Sequence, residues 1–349
     1  MFRLFNYLGE KKILIDAPQE YLTRIEKNID EPVITSSKEV YADLKIEVIS
    51  GSPVRIVKNK EYPFARTSLD ESRPLPAIDF FRYKEKVMTI LIPRENEFVV
   101  ESYIPKDESG VTRIIKKWYF SQDSSRNKAL FHSSLVSFGS EGILIPGNSF
   151  AGKTSLLLWF LENLSSNLVM DEHTLVEKTK EGLTGFYLPV PIHLRLKSVY
   201  DTKGLSRILD DYSIVEATQN IDEDYIEKLI KSGKLDLDAS VDIARKNFAS
   251  FLGVRTRSKC RITRIVFPEY SKDDAPRIER MDPYKAFSIL REVEIAKNPD
   301  MGRLKKAYEK EEMQEALTHE DWIEGIPCFK LSFSDYKKLN KTVIEDLLS

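Results

Sequence analysis

Residues 147–154 read GNSFAGKT, a match to the pattern GxxxxGK[ST], set between the apolar run GILIP and the helix-forming run TSLLLWFLENL. A strand, a glycine-framed loop and a helix in that order form a cradle for phosphate. Gly147 and Gly152 allow the tight turn. The backbone N–H groups of Asn148, Ser149, Phe150 and Ala151 would then close around phosphate oxygens. The start of the helix adds a partial positive charge. Lys153 would reach the β- and γ-phosphates of a nucleotide, and the Thr154 hydroxyl would hold Mg²⁺. The chemistry implied is phosphoryl binding, with ATP and Mg²⁺ as the expected ligands.

Asp171 and Glu172 follow in NLVMDEH, eighteen and nineteen residues after Lys153. They close an apolar run that reads as a strand, expected next to the loop's own strand. Ligand sites of parallel sheets lie at the carboxyl ends of strands. A carboxylate there can hold Mg²⁺ or accept a proton from a hydroxyl that attacks the γ-phosphate. Neighbouring residues of a regular strand point to opposite faces, so one acid could serve each role. His173 would join Asp171 on one face only if that strand stayed regular. His193 and His319 are read as structural.

Motor ATPases and GTPases usually place further strands between the loop and the metal-binding acid, whereas here one helix and a short link suffice. The stretch LFHSSLVSFGSEGILIPGNSFAGKTSLLLWFLENLSSNLVMDEHTLV resembles the core of HPr kinase/phosphorylase and, more distantly, ATP-dependent phosphoenolpyruvate carboxykinase. The shared order is a histidine, a strand, the phosphate loop, one helix and an acidic pair. Likeness is good over about residues 128–200, loose over 260–340 and absent from the first third. It implies that Asp171 is the general base, that Glu172 joins Thr154 at the metal, and that His132 makes a hydrogen bond near Asp171. It also implies a serine of a protein or peptide as acceptor. The family's Glu-Val-Arg-Gly signature has no counterpart, because LGVRTRS shares only Val254 and Arg255 with it. Arg195, in HLRL, is the candidate to replace its phosphate-contacting arginine. Two other readings stay open: a nucleotide-responsive switch without efficient transfer, and a small-molecule kinase.

These residues need elements to hold them. Short β-branched or aromatic runs before residue 120 (KKILIDA, LKIEVIS, VRIVKN, AIDFFRYK, KVMTILIP, EFVVESYI) predict strands, and SLDESRPLP predicts a loop. VTRIIKKWYF also reads as a strand. A boundary is expected near residue 122, giving a β-rich domain over 1–122 and an α/β, HPr-kinase-like P-loop domain over 123–349. In the second, KALFHSSLVSF suggests a short helix feeding a strand, and NLVMDEHTLVEK one strand. Residues 200–250 read as a charged helical insertion serving as a substrate-selecting cap, an oligomer contact or plain packing. CRITRIVFPEY and CFKLSF predict strands, and PYKAFSILREVEIA a helix within a helical stretch over 282–325.

Composition bounds the rest. In 349 residues, 42% hydrophobic and 31% charged, the net charge is −2, so no overall basic field recruits nucleic acid. Only Cys260 and Cys328 are cysteines, too few for a disulfide framework. No apolar run reaches the roughly 18 residues that span a bilayer, and the charged start lacks the features of a signal peptide. A cytoplasmic location without membrane or nucleic-acid partners is expected.

Overall fold

The computed structural model describes residues 2–7, 11–28, 33–34, 41–50, 67–70, 77–82, 85–94, 97–102, 127–202, 204–206, 215–216, 240–271, 275–295 and 320–348, with single positions 111, 115, 118 and 119. Helices and strands are mixed in several sheets. The chain divides into two compact units, one on residues 1–124 and the other on residues 125–297 and 314–349.

In the first unit, strands β1 (Phe2–Tyr7) and β2 (Lys11–Asp16) pair antiparallel. Helix α1 (Gln19–Asn28) connects β2 to β4 (Leu44–Ser50), which runs parallel to it. Tyr21, Leu22 and Ile25 of the helix are buried, as are Ile13, Ile15, Leu44 and Ile46 of the strands. With β3 (Val33–Ile34), β5 (Thr67–Asp70), β6 (Ala77–Arg82), β7 (Glu85–Arg94) and β8 (Glu97–Ser102), the order is β3-β1-β2-β4-β8-β7-β6-β5. Two sequence expectations change here. Ser68–Asp70, the start of SLDESRPLP, belong to strand β5 and not to a loop, and residues 71–76 lie outside the described residues. Within VTRIIKKWYF the described residues Val111, Ile115, Trp118 and Tyr119 are helical and buried. Their four- and three-residue spacing puts them on one helical face, which outweighs the β-branched local composition. The run VRIVKN lies outside the described residues.

The second unit is organised by β9 (Lys128–Phe138), which is strand throughout, without the helical start expected for KALFHSSLVSF. Its burial, with Leu130, Phe131, Ser133, Ser134, Leu135 and Val136 enclosed, fits a strand covered on both faces. One edge of β9 pairs antiparallel with β10 (Glu141–Pro146). The other edge pairs antiparallel with β11 (Asn167–Met170) and β12 (His173–Thr179). Strand β12 pairs with β13 (Gly182–Phe186), β13 with β17 (Lys259–Tyr270), and β17 parallel with β10. These pairings close a circuit β10-β9-β12-β13-β17-β10. Strands β19 (Cys328–Phe333) and β18 (Arg277–Arg280) extend it beyond β17.

The acidic turn is therefore not on the strand adjacent to the loop's strand. Antiparallel β9 lies between β10 and β11, and the carboxyl ends of both flank its residues 133–135. Helix α2 (Lys153–Asn163) crosses from β10 to β11 with Leu156, Leu157, Leu158, Trp159, Phe160 and Leu161 buried. At roughly 1.5–3 kcal/mol per enclosed apolar side chain, these hold the helix by on the order of 10 kcal/mol. Trp159 Nε1 donates to Leu339 O at 3.0 Å, and Ser166 Oγ to Phe160 O at 2.9 Å where the helix ends.

A smaller sheet of order β14-β16-β15 comprises β14 (Ile192–Arg195), β15 (Val215–Glu216) and β16 (Ser240–Ile243), so part of the stretch expected to be helical is strand. Helix α3 (Leu196–Asp201) follows β14, and α4 (Arg245–Leu252) follows β16. Most of residues 203–239 lies outside the described residues. Helix α5 (Pro283–Glu292) starts at Asp282, which accepts from the amides of Tyr284 and Lys285, and helix α6 (Lys341–Leu348) ends the chain. Among the described residues no helix is long and apolar enough to cross a membrane.

The circuit leaves little room between β10 and β17. A Cβ at Gly142 would collide with Cys260 Sγ and lie 3.0 Å from Val136 O. Gly142→Ala is expected to lower stability by about 1–3 kcal/mol. Adding Cys260→Ala should recover part of the loss, since the sulfur is the nearest obstacle. Melting temperatures of the single and double variants check this. A single variant as stable as wild type would contradict the close approach.

Candidate active site

The loop leaves β10 at Pro146 and enters α2 at Lys153. Gly147 N donates to His132 O at 3.2 Å, which ties the loop's base to β9. Ala151 N donates to Asn148 O at 3.2 Å, and Leu156 N to Gly152 O at 2.9 Å as the helix begins. Gly152 has φ +99°, in the region that favours glycine, and a Cβ there would lie 2.9 Å from Phe333 Cζ. A Cβ on Gly147 would meet Ala151 Cβ at 3.0 Å, so the loop is wrapped tightly on itself. No side chain caps the start of α2, and its first turn carries no acid. That arrangement leaves the helix start available to an anion. Lys153 is buried and donates to Asn148 O at 3.0 Å. Burial lowers its pKa, against the attraction of Glu172 and Asp171.

Asp171 and Glu172 occupy a turn between β11 and β12 rather than one continuous strand. His173 N donates to Asp171 O at 2.9 Å, and Glu172 takes φ +72°. The alternation of a regular strand therefore does not set their directions; the turn does. Asp171 has no exposed surface. Its Oδ2 accepts from Thr154 Oγ1 at 2.8 Å, and its Oδ1 accepts from Ser134 Oγ. Burial and then the charge of Glu172 push its pKa up, opposed by the two hydroxyls and Lys153.

Glu172 is half-buried and lies 3.2 Å from His132 Nε2. Burial would raise its pKa. The His132 hydrogen bond, with His173, His132 and Lys153 as neighbouring charges, outweighs burial and lowers it to about 2. His132, expected beside Asp171, thus binds the second acid of the pair. His173 pairs with His132 across β9 and β12, with ring centroids 6.0 Å apart.

Arg195 meets the loop. Its guanidinium carbon lies 3.8 Å from the centroid of the Phe150 ring. Phe150 has φ +71°, and it and Glu172 are the only non-glycine residues with positive φ among the described residues. Such backbone costs about 1–3 kcal/mol and concentrates at functional sites. A cation over an aromatic face returns roughly 0.5–1 kcal/mol of that. Residues 254–257 serve through their backbone: Leu168 N donates to Arg255 O, and Arg257 N to Leu168 O, both at 2.9 Å.

Two contributors, Ser134 and Arg245, escaped sequence reasoning. Ser134 holds Asp171, and its signal was a run of hydroxyls within an otherwise apolar strand. Arg245 is buried, donates to Val169 O and Arg257 O at 2.9 Å each, and lies 3.4 Å from the centre of the Tyr187 ring. It fixes β11 two residues before Asp171, and no local pattern announces it. His193, read as structural, pairs with Asp242 at 2.7 Å. His319 lies outside the described residues.

Threonine and carboxylate oxygens are the hard donors that Mg²⁺ takes. Among the described residues no group of three or more His, Cys, Asp or Glu could hold a metal by itself. A Mg²⁺ ion held by Thr154 and Glu172 would therefore need further oxygen ligands beyond these side chains. No protein-family model matches the chain, and no curated protein shows significant similarity to it.

The two acids respond to pH in opposite senses. The depressed pKa of Glu172 contributes stability that is complete above its ordinary value of 4.5 and disappears as pH falls towards about 2. The raised pKa of Asp171 contributes only while the group is protonated, and that contribution is lost as pH rises through its folded value. Glu172→Gln should therefore lose less stability than wild type between pH 4.5 and pH 2. Urea unfolding at both pH values measures it, and equal losses in the two proteins would refute the His132–Glu172 assignment.

Proposed function

We propose that the chain is an ATP-dependent kinase of the HPr-kinase-like kind, transferring the γ-phosphate to a hydroxyl. A serine of a protein or peptide is the acceptor class implied by the sequence resemblance. The observation that carries this reading is the hydrogen bond from Thr154 of the phosphate loop to Asp171, which joins an uncapped helix start to a buried acid turn.

In this reading the loop amides of residues 147–154 and Lys153 hold the phosphates. Thr154 and Glu172 would hold Mg²⁺, which would supply charge neutralisation at the phosphates when bound. The low pKa of Glu172 keeps it ionised at neutral pH, as a metal ligand must be. Asp171 takes the proton of the acceptor hydroxyl as its oxygen bonds to the γ-phosphorus, and the bond from that phosphorus to the β-bridging oxygen breaks to release ADP. The raised pKa of Asp171 suits a proton acceptor. To act, Asp171 must exchange a hydroxyl partner for the acceptor. Lys153 and Arg195 offset the charge developing on the transferred group. The free, buried cysteines, both with pKa raised to about 12 by burial, suit the reducing cytoplasm we propose as its location.

A second reading, a nucleotide-responsive switch with little transfer, draws support from the complete burial of Asp171. A small-molecule acceptor would leave the chemistry unchanged. With Mg²⁺, wild type is expected to bind ATP and turn it over, while Lys153→Ala loses most binding. Asp171→Asn should bind ATP yet lose about 100-fold or more in rate. Calorimetry and phosphate release measure both. Binding without any effect of Asp171→Asn on turnover would favour the switch, and a wild type that binds no nucleotide would sink both readings.

A further inference from the structure

We propose that His193, clamped by Asp242, is a ligand for the terminal phosphate of the bound nucleotide, set beside Arg195 on the polar face of β14. The inference rests on the nucleotide-binding reading above and adds a residue that neither the loop motif nor the acidic pair supplies.

Strand β14 alternates sharply. Ile192 and Leu194 are fully buried in the apolar core, so His193 and Arg195 share the opposite face. Arg195 fixes where that face lies, because its guanidinium rests on Phe150 in the middle of the phosphate loop. His193 is therefore carried, two residues before Arg195, on the face that borders the loop. The ring is oriented as well as placed. His193 is paired with Asp242 across β14 and β16, and its Nδ1 lies 2.7 Å from Asp242 Oδ1. A carboxylate at Nδ1 keeps a proton there and leaves Nε2 as the second donor of an imidazolium.

The side chain of His193 is 45% exposed while that of Asp242 is 18% exposed, so the anchor is enclosed and the ring stays accessible. The same ring feels the acid turn. The Asp242 hydrogen bond raises its pKa against burial, and the charges of Asp242, Glu172 and Asp171 add to the rise. The cationic form is thus favoured near the two acids of the candidate site, where a phosphate would arrive.

The small sheet does not need this pair. Ile192, Leu194, Val241 and Ile243 are all buried across the same two strands and hold them together. A half-exposed ion pair adds little to stability. Its geometry, a carboxylate orienting a histidine at one ring nitrogen, recurs where an imidazole meets a ligand in a fixed orientation.

The test is equilibrium binding of ATP and of ADP, each with Mg²⁺, to the full chain as wild type, His193→Gln and Asp242→Asn. Loss of a charge-assisted hydrogen bond to the terminal phosphate should weaken ATP about tenfold in His193→Gln and leave ADP within about twofold. Asp242→Asn should shift the ATP-to-ADP affinity ratio in the same direction by a smaller factor. It also keeps the question answerable if His193→Gln folds poorly. A merely structural pair would change both nucleotides alike. Equal changes for ATP and ADP, or an unchanged ratio in both variants, overturn the proposal while leaving nucleotide binding intact. A wild type that binds neither nucleotide overturns the underlying reading, and this inference with it.

Discussion

A carboxylate with no exposed surface must find partners inside the protein, since an isolated buried charge is far too costly to keep. Asp171 finds two hydroxyls, one from Ser134 on β9 and one from Thr154 at the start of α2. Those bonds oblige three elements to meet: the strand that separates β10 from β11, the helix that leaves the phosphate loop, and the turn that follows β11. The loop's base obeys the same constraint through the bond from Gly147 N to His132 O. Position in the site is therefore set by β9, although β9 carries none of the phosphate-loop residues.

The charges around this point are balanced by competition between burial and proximity. Lys153 is pushed towards neutrality by burial and held back by the two acids. Asp171 is pushed the same way, and its neighbour's charge adds to the push. Glu172 escapes because two histidines and Lys153 surround it. Adjacent carboxylates consequently differ in character: one is reluctant to ionise and the other is almost always ionised. A pair separated in this way can divide labour between proton transfer and charge binding. The separation comes from the turn, which gives the two side chains different neighbours.

The legible parts of the site were the local ones. GNSFAGKT carries its strand, loop and helix within one short stretch, so motif and context could be read together. Asp171 was legible because it closes an apolar run at a short interval from Lys153. Much of the remainder depends on pairings between distant segments, which periodicity does not encode. Nothing in the sequence reveals that β9 runs between β10 and β11, or that Arg245 braces β11 from beyond it. The break at Glu172 was missed because a left-handed glutamate has no sequence signature of the kind a glycine offers. Within single elements the errors were of weighting. Val111, Ile115, Trp118 and Tyr119 keep helical spacing, yet their β-branched and aromatic neighbours suggested strand. KALFHSSLVSF was expected to begin as a short helix, whereas it is strand throughout and brings His132 and Ser134 to the acids.

The closed circuit of strands has a mechanical corollary. Strands β9, β10, β12, β13 and β17 each have hydrogen-bonded neighbours within the ring, so none can peel away without breaking two ladders. Backbone irregularity in the candidate site falls outside those ladders, in two short stretches: the loop from Gly147 to Gly152 and the two-residue turn at Asp171 and Glu172. Each contains a non-glycine residue with left-handed backbone, Phe150 in one and Glu172 in the other. The frame is an anvil, and the strain of the site is stored in the two short pieces set against it.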